Sequence, residues 1–200
     1  MRFNLLPLDD QFAAIMKHLD TLRDENHPKN MRPSYLRELV NQASKRDDLP
    51  RDKVCRWLGY CYGIVMARHS NLSQIFAFNE PKFVDDLSRH PVVMASLEIL
   101  NHLQDIIKKN VKIVRDDDDF HNAESTYAPI LIEALIDYTK KDAKFIGVNA
   151  LSLRLGLIQG YMVAYNYIDV DEERNFTRPL FHAAYEKLGI SPPKSVSVNV

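Results

Sequence analysis

Two hundred residues, 46% of them apolar and 26% charged, suffice for one sizeable core or for two small helical domains sharing an interface. A formal net charge of -1 lacks the basic excess of a dedicated nucleic-acid binder. No apolar run approaches the roughly 20 residues of a membrane span. The start, MRFNLLPLDDQF, carries acids where a signal peptide has its apolar run, so a cytoplasmic protein without a membrane partner is expected.

Helical periodicity dominates the chain. Residues 8–25 place Phe12, Ile15, Met16, Leu19 and Leu22 on one stripe at i, i+3, i+4, i+7 spacing. Pro33, Pro50, Pro81 and Pro91 each head an apolar-periodic run, where a fixed φ and a missing N–H suit a first helical turn. Between them lies QIFAFNEPKF, whose Phe76, Phe78 and Phe83 serve either as core or as a partner surface. NVKIV (110–114) and SVSVNV (195–200) alternate with period two, so they could pair as a minor two-stranded ribbon. The tail is alternatively a strand for a partner's sheet edge or a frayed end.

RDDDDFHN (115–122) separates an N-terminal half, 1–114, from a C-terminal half, 115–200, and both are expected to build one compact domain. Residues 127–141 read as helix, with Pro129 near the first turn or at a kink. Asn149 to Tyr167 is the next helix. Asp169 then caps a last one, with Asp171, Glu172 and Glu173 in its first turn and Gly189 as its stop. The fold class is therefore all-α, a multi-helix bundle.

RWLGYCYGIVMA (56–67) returns as LRLGLIQGYMVA (153–164). With Leu58 set on Leu155, an offset of 97 positions, Gly59 meets Gly156, Gly63 meets Gly160 and Ala67 meets Ala164. Each glycine inside a helix costs roughly 1 kcal/mol against alanine, so close approach of another backbone should compensate. These two helices are predicted to be central and to pack through their glycine faces, against each other or against equivalent neighbours in a homo-oligomer. Chance likeness between two apolar helices is the alternative.

The second copy opens a stretch with three further marks. Leu155, Gly156, Gln159 and Gly160 form Leu-Gly-x-x-Gln-Gly; Asp171, Glu172 and Arg174 form an acidic Asp-Glu-x-Arg turn; Thr177, Arg178 and Pro179 follow. Residues 154–189 so resemble a C-terminal segment of accessory proteins from temperate tailed phages. The first copy departs from the pattern, with Tyr62 in place of Gln159. The resemblance implies a phage or prophage origin and a bacterial host cell. It carries no activity with it.

Two enzymatic alternatives can be written. Arg115 and His121, followed through RDDDDFH, resemble the Arg-x(4–6)-His pattern of the all-helical HEPN ribonucleases, in which His handles the 2′-hydroxyl proton and Arg steadies the phosphate charge. Such a spacing arises about once by chance in a chain of this composition, and Asp116, Asp117, Asp118 and Asp119 would repel a phosphate backbone. Those aspartates with Glu133 and Asp137, at i, i+4 on one helix, loosely resemble the Mg-binding carboxylates of the all-α nucleotide pyrophosphohydrolases. The paired Glu-x-x-Glu helix of that group is missing. Cys55 and Cys61, six residues apart on one helix, are too distant for a disulfide and read as buried thiols. His102 and Asp105 are at most a ligand pair on a helix. Glu173, Arg174 and Arg178 read as a structural ion pair holding the last helix to the one before. No cofactor is expected.

The leading reading is a non-catalytic helical interaction protein that binds a bacterial or phage protein, with nucleic acid not favoured. Its expected contact features are the acidic run Asp116 to Asp119, the Phe76–Phe78–Phe83 segment and the alternating tail.

Overall fold

The computed structural model describes residues 8–23, 28–68, 86–116 and 123–193. Among these the protein is all-α, a multi-helix bundle without a strand. The helices are α1 (Leu8–Leu19), α2 (Pro33–Lys45), α3 (Arg51–Arg68), α4 (Pro91–Asp116), α5 (Ala123–Asp142), α6 (Val148–Ala164) and α7 (Val170–Lys187). Pro33 and Pro91 occupy first helical positions, and Pro50 immediately precedes α3, as their missing N–H allows. Pro129 and Pro179 instead lie inside α5 and α7. Asp169 caps α7 by accepting from the Asp171 and Glu172 N–H groups, and Gly189 takes φ 70° just beyond its end.

The ribbon expected at Asn110–Val114 is corrected: these residues continue α4 to Asp116. Alternation over five residues is also compatible with helix. Ile107, Val111 and Val114 are spaced four and three apart, and extending an existing helix costs far less than starting a strand. The tail 195–200 lies outside the described residues.

A helix that is apolar all round belongs in the centre. Every residue of α6 from Leu151 to Val163 is buried, and α3 is buried along most of its length. The two pack directly on each other. A methyl group placed on Gly59 would strike the Leu153 carbonyl oxygen and lie 2.8 Å from Leu157 N; one on Gly156 would strike the Arg56 carbonyl oxygen and lie 2.9 Å from Tyr60 N. Gly63 faces the Leu157 carbonyl and Tyr161 N, while Gly160 faces the Tyr60 carbonyl and Ile64 N. Each partner sits 97 residues from its counterpart, so the seam is reciprocal about an axis between Gly63 and Gly160. Advancing along α3 advances the contact along α6, so the helices run parallel. The glycine faces meet within the chain.

The correspondence extends outward. α1 and α4, α2 and α5, and α3 and α6 have counterpart ends, with Leu19, Lys45 and Arg51 each 97 residues before Asp116, Asp142 and Val148. α1 packs on α2 and α3 as α4 packs on α5 and α6. Two three-helix units therefore share one core, joined along the glycine seam, and α7 lies against α4. Buried Arg154 donates to Asp142 at 3.3 Å, tying α6 to the end of α5.

Candidate functional site

α3 and α7 run antiparallel over a cleft of about 190 Å³, with α6 as its floor. The direction follows from two contacts, Asp52 of α3 with Tyr185 of α7 and, one turn on, Arg56 with Phe181 one turn back. The Tyr185 hydroxyl donates to Asp52 Oδ2 at 2.7 Å, and Arg56 donates to the same oxygen at 3.1 Å. The Arg56 guanidinium lies 3.5 Å above the Phe181 ring. Burial holds the Tyr185 phenol up at about 12, so it stays a donor at neutral pH. Asp52 is itself buried, and this network neutralises Arg56.

The rim is cationic. Lys53 Nζ stands 5.3 Å over the ring of Trp57, the chain's one tryptophan, and makes no ion pair among the described residues. Burial, then the charges of Arg56, Arg46 and Arg178, hold its ammonium pKa down at about 8. Arg178, exposed on α7, also has no acidic partner among the described residues. One turn earlier, Arg174 donates to the Tyr35 hydroxyl at 2.8 Å and stands 3.6 Å from Asp171.

The inner end is different. Gln159 on α6 donates from Nε2 to Glu173 Oε1 at 2.7 Å, and both residues are buried in the cleft wall. Glu173 Oε2 has no hydrogen-bond partner among the described residues. His102 Nε2 lies 3.6 Å from that oxygen, its ring stacked on Phe176 at 4.0 Å. Burial raises the Glu173 pKa, and the Gln159 hydrogen bond opposes the rise. Val163, Val170 and Tyr60 complete apolar walls between the two ends.

Sequence reasoning brought Glu173, Arg174 and Arg178 together as an ion pair, and the geometry separates them. Glu173 turns inward to Gln159, while Arg174 and Arg178 turn to the rim, because on a helix 173 and 177 face one way and 174 and 178 another. Lys53, Arg56, Trp57 and Tyr60 were not singled out as a site. The available signal was two cation–aromatic pairs at i, i+4 on α3, facing Arg174, Arg178 and His182 at four-residue spacing on α7.

The remaining sequence candidates fall elsewhere. Arg115 and Asp116 end α4, while Asp117, Asp118, Asp119 and His121 lie outside the described residues, as do Phe76, Phe78 and Phe83. Asp137 accepts from Gln104 Nε2 at 2.5 Å, and Lys140 donates to the same Gln104 side chain at 2.6 Å, a ladder joining α5 to α4. Among the described residues, no three or more His, Cys, Asp or Glu side chains are placed to share a metal ion, and no helix is long and apolar enough to cross a membrane. Cys55 and Cys61 are buried and form no disulfide, and burial pushes the Cys61 thiol far up.

The cleft can seat an anionic group at its rim against apolar rings, with a carboxylate–amide pair at the far end to accept from a donor. No protein-family model, curated protein or solved structure matches the chain.

Proposed function

We propose that this chain is a non-catalytic phage accessory protein that binds and modulates a bacterial protein, with the cleft between α3 and α7 as its working surface. The phage origin and the host cytoplasm rest on the Leu-Gly-x-x-Gln-Gly, Asp-Glu-x-Arg and Thr-Arg-Pro resemblance. The binding reading rests on one observation: Lys53, half-buried over Trp57 and facing Arg178, makes no ion pair among the described residues, its one attractive carboxylate, Asp52, being held by Arg56 and Tyr185. Holding a charge in that position costs folding free energy, and an incoming carboxylate offsets the cost. The partner, a defence or replication factor, accordingly presents an acidic side chain to the rim.

The test is affinity capture of the tagged chain from bacterial lysate with and without nuclease treatment, repeated with Lys53→Glu/Arg178→Glu and with the exposed control Lys109→Glu. A stoichiometric protein held by the native chain and the control but lost from the double variant supports the reading. Capture that survives reversal of both rim charges contradicts it, as does recovery of RNA-dependent partners alone.

A further inference from the structure

We propose that the cleft also takes a nucleoside monophosphate, with its heterocycle between α3 and α7 and its phosphate at the Lys53–Arg178 rim, in competition with the protein partner. This rests on the reading of the cleft as the binding surface and names the small ligand that regulates it.

Four features select the chemistry. The first is polarity along the cleft. The rim carries Lys53 and Arg178, and the nearby Asp52 carboxylate is already engaged by Arg56 and Tyr185, whereas the inner end carries the Gln159–Glu173 pair. A ligand anion is therefore held at one end and repelled at the other, which fixes its orientation. The second is what the inner end offers. A carboxylate accepts only, so the far end of the ligand must donate, as the amino edge of adenine or cytosine does. Glu173 is 7% exposed, and beyond the 3.6 Å approach of His102 Nε2 its Oε2 accepts no hydrogen bond among the described residues, so a donor entering this end adds one.

The third feature is size. A cavity of about 150 Å³ admits benzene, so 190 Å³ admits one planar ring and leaves sugar and phosphate toward the open rim. The fourth is length. Lys53 and Tyr60 are separated by roughly 10 Å of helical rise, a span that a ring with its sugar bridges and a lone inorganic anion does not. Trp57, Tyr60 and Phe181 supply the ring-shaped walls.

Trp57 reports occupancy directly. The full chain is titrated with AMP, adenosine, inorganic phosphate and IMP while its fluorescence is followed. AMP is expected to bind at least tenfold tighter than each of the other three, because IMP puts a carbonyl where AMP puts its amine. Lys53→Ala/Arg178→Ala should reduce AMP to the adenosine level, and Glu173→Gln should narrow the gap between AMP and IMP, with circular dichroism showing each variant folded. A competing 5′-phosphorylated oligoadenylate then separates a free nucleotide from the end of a strand, both of which carry the proposed unit.

AMP binding no tighter than phosphate, or unchanged in the double variant, overturns the inference. If AMP fails while a protein partner is still captured through Lys53 and Arg178, this inference falls alone. If rim reversal leaves capture intact as well, the cleft reading falls with it.

Discussion

Lys53 is held low by its burial and by the cations that face it: Arg56 beside it on α3, Arg46 beyond the end of α2, and Arg178 on α7, against Asp52 as the one attractive carboxylate. Two pH dependences follow. A bound anion favours the ammonium, so affinity at the rim should weaken as pH rises through about 8. Calorimetric titrations between pH 7 and pH 9.5 should see this, and Lys53→Arg, which stays charged, should flatten it. The second concerns folding. The folded-state value lies below the ordinary 10.5, so between the two the unfolded chain holds more protons and stability should rise with pH. Lys53→Met should abolish that rise in denaturant melts. Glu173 shifts the other way: burial raises its pKa, so the ionised form costs stability once pH exceeds the folded value. Glu173→Gln should therefore leave the melting temperature unchanged or higher at pH 8, with less gain at pH 5. A fall of several degrees at pH 8 would mean that the charge stabilises the fold.

At the scale of elements, the α3–α6 seam has no slack. A methyl group at Gly59 or Gly156 meets the backbone of the opposite helix, which cannot rotate away as a side chain can. Gly59→Ala and Gly156→Ala should each cost about 3 kcal/mol or more. Gly189→Ala, strained at φ 70° but in open space, should cost about 1–2 kcal/mol. Chemical denaturation of the three variants gives the order, and equal losses would mean that the seam is looser than described. This seam was the most legible feature of the sequence, since paired mid-helix glycines demand a reason. Helix starts at Pro33 and Pro91 were legible for the same kind of reason, each proline having one low-cost place. Asn110–Val114 was misread because its two-residue alternation also satisfies a helical stripe already running through Ile107. The cleft was hidden more thoroughly. Its residues are split between α3 and α7, more than a hundred positions apart, and only the packing of α7 beside α3 makes Lys53 and Arg178 neighbours. Local spacing can suggest a face on each helix but not that the two faces meet.

At the scale of the whole molecule, the described residues form two three-helix units arranged about one axis, with α7 added beside them. The counterpart packing of α1–α3 and α4–α6, and the reciprocal glycine contacts, are the marks of an internal duplication. Because each half contributes one wall of the central seam, neither buries its own core without the other. Unfolding should be a single transition with equal calorimetric and van't Hoff enthalpies, and two separated transitions would mean independent halves. The approximate symmetry also explains where a site can form. α3 and α6 are equivalent in the seam, but Lys53 and Trp57 correspond to Ala150 and buried Arg154, so the two sides of the axis carry different chemistry. The cationic rim is thus built on the α3 side alone, under α7. The most direct measurement is the Trp57 emission of the full chain during titration with its captured protein partner. The expected result is a change in emission that saturates with binding and is lost, together with the affinity, in Lys53→Glu/Arg178→Glu. Full-affinity binding with Trp57 emission unaltered would place the partner elsewhere on the molecule and contradict the cleft as the working surface.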